Sequence, residues 1–238
     1  MKIWAIGDLH LSHSENVDKP MGIFGQGWEN HDKRLYEAWL ECVEEDDIVM
    51  IPGDISWALR LEDAIPDFEW LHSLPGTKLI SKGNHDLWWN RINYLNSLYD
   101  DIRFLQNDCY YVEQNNIVVV ATRGWPYPGS IEYSQHDAKI YRRELLRLKM
   151  GLDKAVKLNK VDERLVVSLH YPPTDATGKS TEFTDVLEEY GVSDCVYGHL
   201  HGGQAFLSAV RGEHRGVKYH LVSLDYLESR PKLIIEGE

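Results

Sequence analysis

Five short clusters of oxygen and nitrogen donors punctuate the chain: Asp8-Leu9-His10, Gly53-Asp54, Gly83-Asn84-His85-Asp86, His170 and Gly198-His199-Leu200-His201. Carboxylates, imidazoles and an amide oxygen are ligands for divalent transition metals, and no cysteine stands in any cluster. Mn²⁺, Fe or Zn²⁺ therefore suits the set better than Ca²⁺ or a structural zinc site. At extended spacing, residues two apart project to the same side. Asp8 and His10 are thus expected to converge while Leu9 faces the core, and His199 and His201 repeat that geometry. A glycine ahead of a cluster permits a sharp exit from a strand and close backbone approach. Singly, each fragment is weak, since a Gly-Asp after a strand usually marks only a turn. Together and in order, they read as one metal site.

The elements that must position these donors follow from hydrophobic periodicity. Candidate strands are 2–7, 47–51, 77–81, 116–122, 164–169, 194–197, 205–210, 217–224 and 232–236. Candidate helices are 31–45, 61–73, 87–98, 135–159 and 182–190. Each donor cluster directly follows a candidate strand, so five strand ends aim polar groups at one rim, where open α/β sheets bind ligands. The early β-loop-α units predict parallel strands, and the strand-rich last third predicts an antiparallel addition. Two mixed sheets packed together, with helices outside, satisfy both halves.

At 238 residues the chain suits a single α/β domain spanning 1–238, and no linker or repeat divides it. Its 43% hydrophobic and 26% charged content is ordinary for a globular protein with a sizeable core. The net charge of −13 argues against gripping a polyanion, so nucleic acid is disfavoured as a partner. Cys42, Cys109 and Cys195 fit no disulfide framework. The first strand runs straight into Asp8, leaving no room for a signal peptide, and no apolar run reaches membrane-spanning length. A cytoplasmic protein with no membrane partner is expected, with the oligomeric state open.

The order D-x-H, G-D, G-N-H-[DE], H, G-H-x-H resembles the calcineurin-like metallophosphoesterase superfamily, in its bacterial single-domain phosphohydrolase form, over residues 8–201. The resemblance implies a four-layer αββα sandwich of two mixed sheets flanked by helices. It also implies that Asp8, His10, Asp54 and His201 hold one ion, and that Asp54, Asn84, His170 and His199 hold a second, with Asp54 bridging. His85 would be the non-ligand histidine that contacts the phosphate and acts as general acid. Two divalent ions about 3.5–4 Å apart would activate a bridging hydroxide for in-line attack. Their charge, set against two carboxylates and a hydroxide, leaves one net positive charge to attract phosphate.

Other residues could tune the substrate. Arg123, at the end of strand 116–122, is a candidate phosphate clamp or a surface ion-pair partner. Trp125, Tyr127 and Tyr133 could stack on an aromatic leaving group or simply pack their Pro/Gly loop. Asn30 reads as a helix N-cap, while His13 and His31 are within sequence reach of the site. His170-Tyr171-Pro172-Pro173 resembles the H-x-P-P of phosphodiesterase branches. Phosphoprotein phosphatases of the superfamily carry arginine where Trp88 stands and G-D-x-x-D-R where this chain reads Gly53-Asp54-Ile55-Ser56-Trp57-Ala58. Those departures argue against a protein substrate and leave Asp86 as a weak candidate to orient His85. The expected activity is metal-dependent cleavage of a phosphomonoester or phosphodiester of a small molecule. A nuclease, or a non-catalytic metal-binding scaffold, is the alternative.

Overall fold

Side-chain alternation along the strands builds the layers. In the computed structural model, which describes residues 1–158 and 164–237, β1 (Ile3–Ala5) turns Ile3 and Ala5 to one side and Trp4 to the other. The same split recurs in β2 (Ile48–Ile51) and β3 (Thr77–Ser81). These strands and β4 (Ile102–Leu105) run parallel in one sheet. The second sheet is built from β5 (Asp108–Val112), β6 (Ile117–Thr122), β7 (Arg164–Leu169), β8 (Asp194–Tyr197), β9 (Gly212–His214) and β10 (Val217–Leu221). β11 (Lys232–Ile235) returns to the first. Strand orders are β11-β1-β2-β3-β4 and β5-β6-β7-β8-β10-β9.

Ile3, Ala5, Ile48, Met50 and Leu79 meet Val119, Ala121, Val166 and Val196 where the two sheets face each other. The opposite faces carry the helices. Trp4, Val49, Ile51 and Ile80 pack on α1 (His31–Cys42) and α2 (Leu61–His72) through Leu35, Trp39, Phe68 and Leu71. A four-residue α3 (Ile92–Leu95) lies in the same layer. On the far side, Val118, Val120, Val167 and Tyr197 pack on α4 (Ala138–Lys157) and α5 (Glu182–Glu189). With both faces covered, the central strands need apolar residues at every position, which is why Ile48-Val49-Met50-Ile51 is uninterrupted. The fold is the expected four-layer αββα sandwich of two mixed sheets.

Several local expectations are corrected. Residues 205–210 are not a strand: α6 (Gly202–Phe206) runs into that segment, its first N–H donating to Asp225 Oδ2 at 3.0 Å. That tertiary cap satisfies an otherwise orphaned helix N–H. β8 and β10 pair in parallel, so the antiparallel strands of the last third are only β9 and β11. The expected helix over 87–98 shrinks to α3, because side chains capture the backbone ahead of it. Asn90 Oδ1 accepts from Arg91 N at 2.7 Å, and Asp86 Oδ2 accepts from Gly83 N at 2.7 Å. The unforeseen strands β4, β5 and β9 are a sheet edge in each case; in β5 and β9 half-exposed residues weaken the hydrophobic signal, while β4 is a short run broken by the exposed Arg103. Asn30 stands at the start of α1 in the left-handed region (φ 47°), but its side chain makes no cap. The far end of the expected helix 135–159 lies outside the described residues. No helix among the described residues is long and apolar enough to cross a membrane.

Candidate active site

The donor clusters converge at the carboxyl ends of the parallel strands, though not by the extended spacing expected. Asp8, His10, Asp54 and His199 adopt left-handed backbone, with φ of 57°, 47°, 54° and 70°. Such conformations disfavour non-glycine residues by about 1–3 kcal/mol each and persist where surrounding bonds over-determine them. Here the loops brace each other. Asp8 N and His10 N donate to the carbonyls of Gly53 and Asp54, each at 3.0 Å. Asp86, fully buried, ties the next loop down by accepting from Asp54 N, Ile55 N and Gly83 N at 2.7–2.9 Å. It therefore orients backbone rather than the His85 ring.

Two glycines are required by close approach. A Cβ on Gly83 would stand 2.0 Å from Asp54 Oδ1, and one on Gly198 would stand 2.3 Å from Asp8 Oδ2. Both carboxylates are thus seated in backbone cradles. Donor atoms of Asp8, His10 and His201 lie within 4.8 Å of one another, as do those of Asp8, Asp54 and His170. Asp54 Oδ2 stands 3.8 Å from His10 Nε2 and 3.5 Å from His170 Nε2, between the two groups.

The outer partners of the imidazoles decide which nitrogen faces inward. His170 Nδ1 meets the Pro52 carbonyl at 2.9 Å. A carbonyl only accepts, so Nδ1 carries the proton and Nε2 presents a lone pair. His199 Nε2 donates to Glu132 at 2.9 Å, and His201 Nδ1 donates to Asp225 at 2.9 Å, freeing His199 Nδ1 and His201 Nε2. The inward atoms then face other acceptors. His170 Nε2 is 2.6 Å from Asn84 Oδ1, and His199 Nδ1 is 3.0 Å from that oxygen and 3.3 Å from His170 Nε2. His10 Nδ1 is buried without a partner. Crowded acceptors repel unless a cation satisfies them, so this donor set fits divalent metal.

Charge is distributed accordingly. Burial holds His10 and His170 well below the usual histidine range, so both are neutral donors. Burial alone would also lower His201, but the Asp225 hydrogen bond and the Asp8 charge outweigh it and hold it at about 9, so a bound cation must displace the Nε2 proton before that lone pair is free. Burial raises Asp8 to about 7, with Asp54 adding to the effect and His201 opposing it. Burial lowers His85, partly offset by the Asp54 charge.

Beside the donors opens a cavity of about 570 Å³ lined by Met21, Phe24, Trp28, Trp57 and Phe206, with His10, His85, His201 and Asp225 at its polar end. Trp57 stacks on His10 (centroids 4.7 Å apart, 22° between planes) and lies 4.4 Å from the His85 ring. Trp57, not Asp86, is what the His85 ring rests on.

The structure thus brings Asp8, His10, Asp54, Asn84, His170, His199 and His201 together, with His85 at their margin. Arg123 is not among them. Its guanidinium lies 3.6 Å from Glu144 and 4.4 Å from the Trp125 ring, in a separate cavity. Trp125 donates to Asp137 and Tyr133 packs on Tyr141, while Tyr127 is buried, so these aromatics pin their loop. His13 pairs with Asp32 and Asp67, and His31 sits between the Leu9 and Trp28 carbonyls. Asp225 and Glu132 had no signal of their own in sequence, although Asp225, closely following β10, shares the strand-end position of the other donors.

Comparison with known proteins agrees with this geometry. The calcineurin-like phosphoesterase family model matches residues 1–203. The Gene 66 protein of Mycobacterium phage D29 is 30% identical over 111 residues, covering 40% of this chain and 52% of that protein. Its counterpart from Mycobacterium phage L5 is 35% identical over 83 residues, covering 35% and 39%. The matches thus span about half or less of those relatives. Among solved structures, the phosphopantetheinyl hydrolase of Mycobacterium tuberculosis superposes with a TM-score of 0.58 at 17% identity, covering 98% of this chain and 95% of that one. At that identity the likeness is one of fold.

Proposed function

The chain belongs to the calcineurin-like phosphoesterase family, and from that premise we propose that it hydrolyses small phosphate monoesters or diesters whose alcohol carries an apolar or aromatic group. The observation that carries this reading is the cavity of Met21, Phe24, Trp28, Trp57 and Phe206 opening directly on His10, His85 and His201. Two divalent transition-metal ions bound by Asp8, His10, Asp54, Asn84, His170, His199 and His201 would supply Lewis acidity toward the phosphoryl oxygens and lower the pKa of water.

The protein's own residues do the rest. Asn84 and the inward imidazole nitrogens would hold the ions, and through that placement decide where a phosphoryl group can sit. His85, held against Trp57 at the cavity's polar end, would hand a proton to the leaving oxygen. Trp28 and Phe206 exclude water from the alcohol portion. Asp225 puts a carboxylate at the cavity's rim, so a second phosphate is disfavoured there.

Burying a phenyl-sized group stabilises by about 1.5–3 kcal/mol, a factor of roughly 10–150 in binding. A naphthyl phosphate should therefore show a KM at least about tenfold below that of a methyl phosphate. Phe24→Ala and Phe206→Ala should narrow that gap, because neither ring touches a donor residue. Equal KM values for the two esters in wild type would refute the assignment.

A further inference from the structure

A second cavity, of about 220 Å³, lies on the same rim but shares no lining residue with the aromatic one. Lys82 reaches it from the end of β3, Thr122 and Arg123 from the end of β6, and Arg143, Glu144 and Arg147 from α4. Four cations thus surround one carboxylate in a protein whose net charge is −13. Glu144 is fully buried, and a single oxygen, Oε1, receives Arg147 at 2.8 Å, Arg143 at 3.3 Å and Arg123 at 3.6 Å. Its other oxygen accepts from Thr122 Oγ1 at 3.3 Å.

Anchoring Glu144 explains one arginine, not the whole group. Each guanidinium offers five N–H donors in a rigid fork, and one carboxylate oxygen leaves most of them unused. Among the described residues no carboxylate lies within ion-pair reach of Lys82. Gln106 also lines the cavity, its Oε1 taken by Trp89 Nε1 at 3.3 Å, so its amide N–H groups are left to donate. Apart from Glu144 and Leu105, the lining supplies donors or positive charge. The volume is roughly that of seven waters at about 30 Å³ each, which suits a tetrahedral oxyanion with a few waters around it.

We propose that this cavity binds a phosphate-type oxyanion, distinct from the group cleaved at the metal cluster. Forked guanidinium groups match the oxygens of a phosphate, and a lysine adds a point charge. The cavity is also wired to the donor loops. Lys82 precedes Asn84 by two residues, and the Arg123 carbonyl accepts from His170 N at 3.0 Å. Occupancy would therefore bear on the loops that carry Asn84 and His170. The anion has two possible sources, free phosphate or a second phosphoryl group on the same substrate.

The test is calorimetric titration of the metal-loaded protein with inorganic phosphate, beside Lys82→Met and Arg143→Gln. Both variants leave Glu144 paired with Arg147, and the Arg143 side chain is 53% exposed, so the fold should survive at least that change. Wild type should show two phosphate sites. Each variant should weaken one of them by about 10- to 100-fold, the range for losing one charged hydrogen bond, and leave the other alone. Steady-state kinetics separates the sources. A raised KM for a bisphosphorylated ester alone identifies the second phosphoryl group, whereas loss of phosphate's effect on rate alone identifies the free ion. Identical phosphate isotherms for wild type and both folded variants would overturn the proposal.

Discussion

Replacing Asp225 with asparagine removes one charge behind His201 while keeping an oxygen for its Nδ1–H. In the wild type that bond is 2.9 Å long, and the Asp225 side chain is only 8% exposed, so solvent screens it little. A hydrogen bond to a charged partner in such a place contributes about 1.5–3 kcal/mol. Asp225→Asn should thus weaken metal affinity by about 10- to 100-fold, in line with the usual cost of disturbing a ligand's outer partner. Glu132 supplies the internal control. It makes the equivalent contact to His199 at 2.9 Å but is 54% exposed, and an exposed pair is worth at most about 1 kcal/mol. Glu132→Gln should cost about fivefold or less. Metal affinity is read by competition with a chromophoric chelator, and aryl phosphate turnover is followed at saturating metal. Equal losses in the two variants, or none in Asp225→Asn, would refute the reasoning that burial makes Asp225 the stronger outer partner.

Replacing His85 with alanine should leave metal content nearly unchanged while slowing hydrolysis of alkyl esters by about 10²–10⁴-fold. A nitrophenyl ester, whose leaving anion needs no proton, should lose much less; equal losses across a leaving-group series would assign His85 to phosphate binding alone. Replacing His13 with alanine probes stability instead. Hydrogen bonds that the His13 ring donates to Asp32 and Asp67 hold it at about 9, above the unfolded value of about 6.5. Its contribution is full below about pH 6.5 and is lost as pH rises through about 9. Urea midpoints should show a gap between wild type and variant at pH 6 that shrinks by pH 10, and a constant gap would contradict the linkage.

The sequence displayed the donor set because each donor follows a buried, mostly apolar strand. Gly83 and Gly198 were legible for the same reason, each standing where backbone must meet a carboxylate. What stayed hidden depends on contacts between distant segments. Asp225 follows Ser223-Leu224 with no glycine to mark it, and its role exists only because His201 arrives from another loop. Trp57 looked like a mere departure from a phosphatase motif, yet it stacks on His10 and supports His85. Arg123 leaves the expected strand end, but Glu144 on α4 draws its guanidinium away. The left-handed backbone at Asp8 and His10 could not be read from residue type, because bonds to Gly53 and Asp54 impose it.

If these side chains form one metal centre that hydrolyses phosphate esters, metal content and turnover must rise and fall together. Elemental analysis of the purified, Mn²⁺-supplemented protein, with aryl phosphate turnover measured on the same samples before and after chelation, tests it most directly. Two ions per chain are expected, with activity that disappears with chelator and returns with metal. In Asp54→Asn, whose carboxylate stands between the two donor groups, both readouts should fall sharply. Full turnover after chelation, or undiminished metal content and rate in Asp54→Asn, would contradict it.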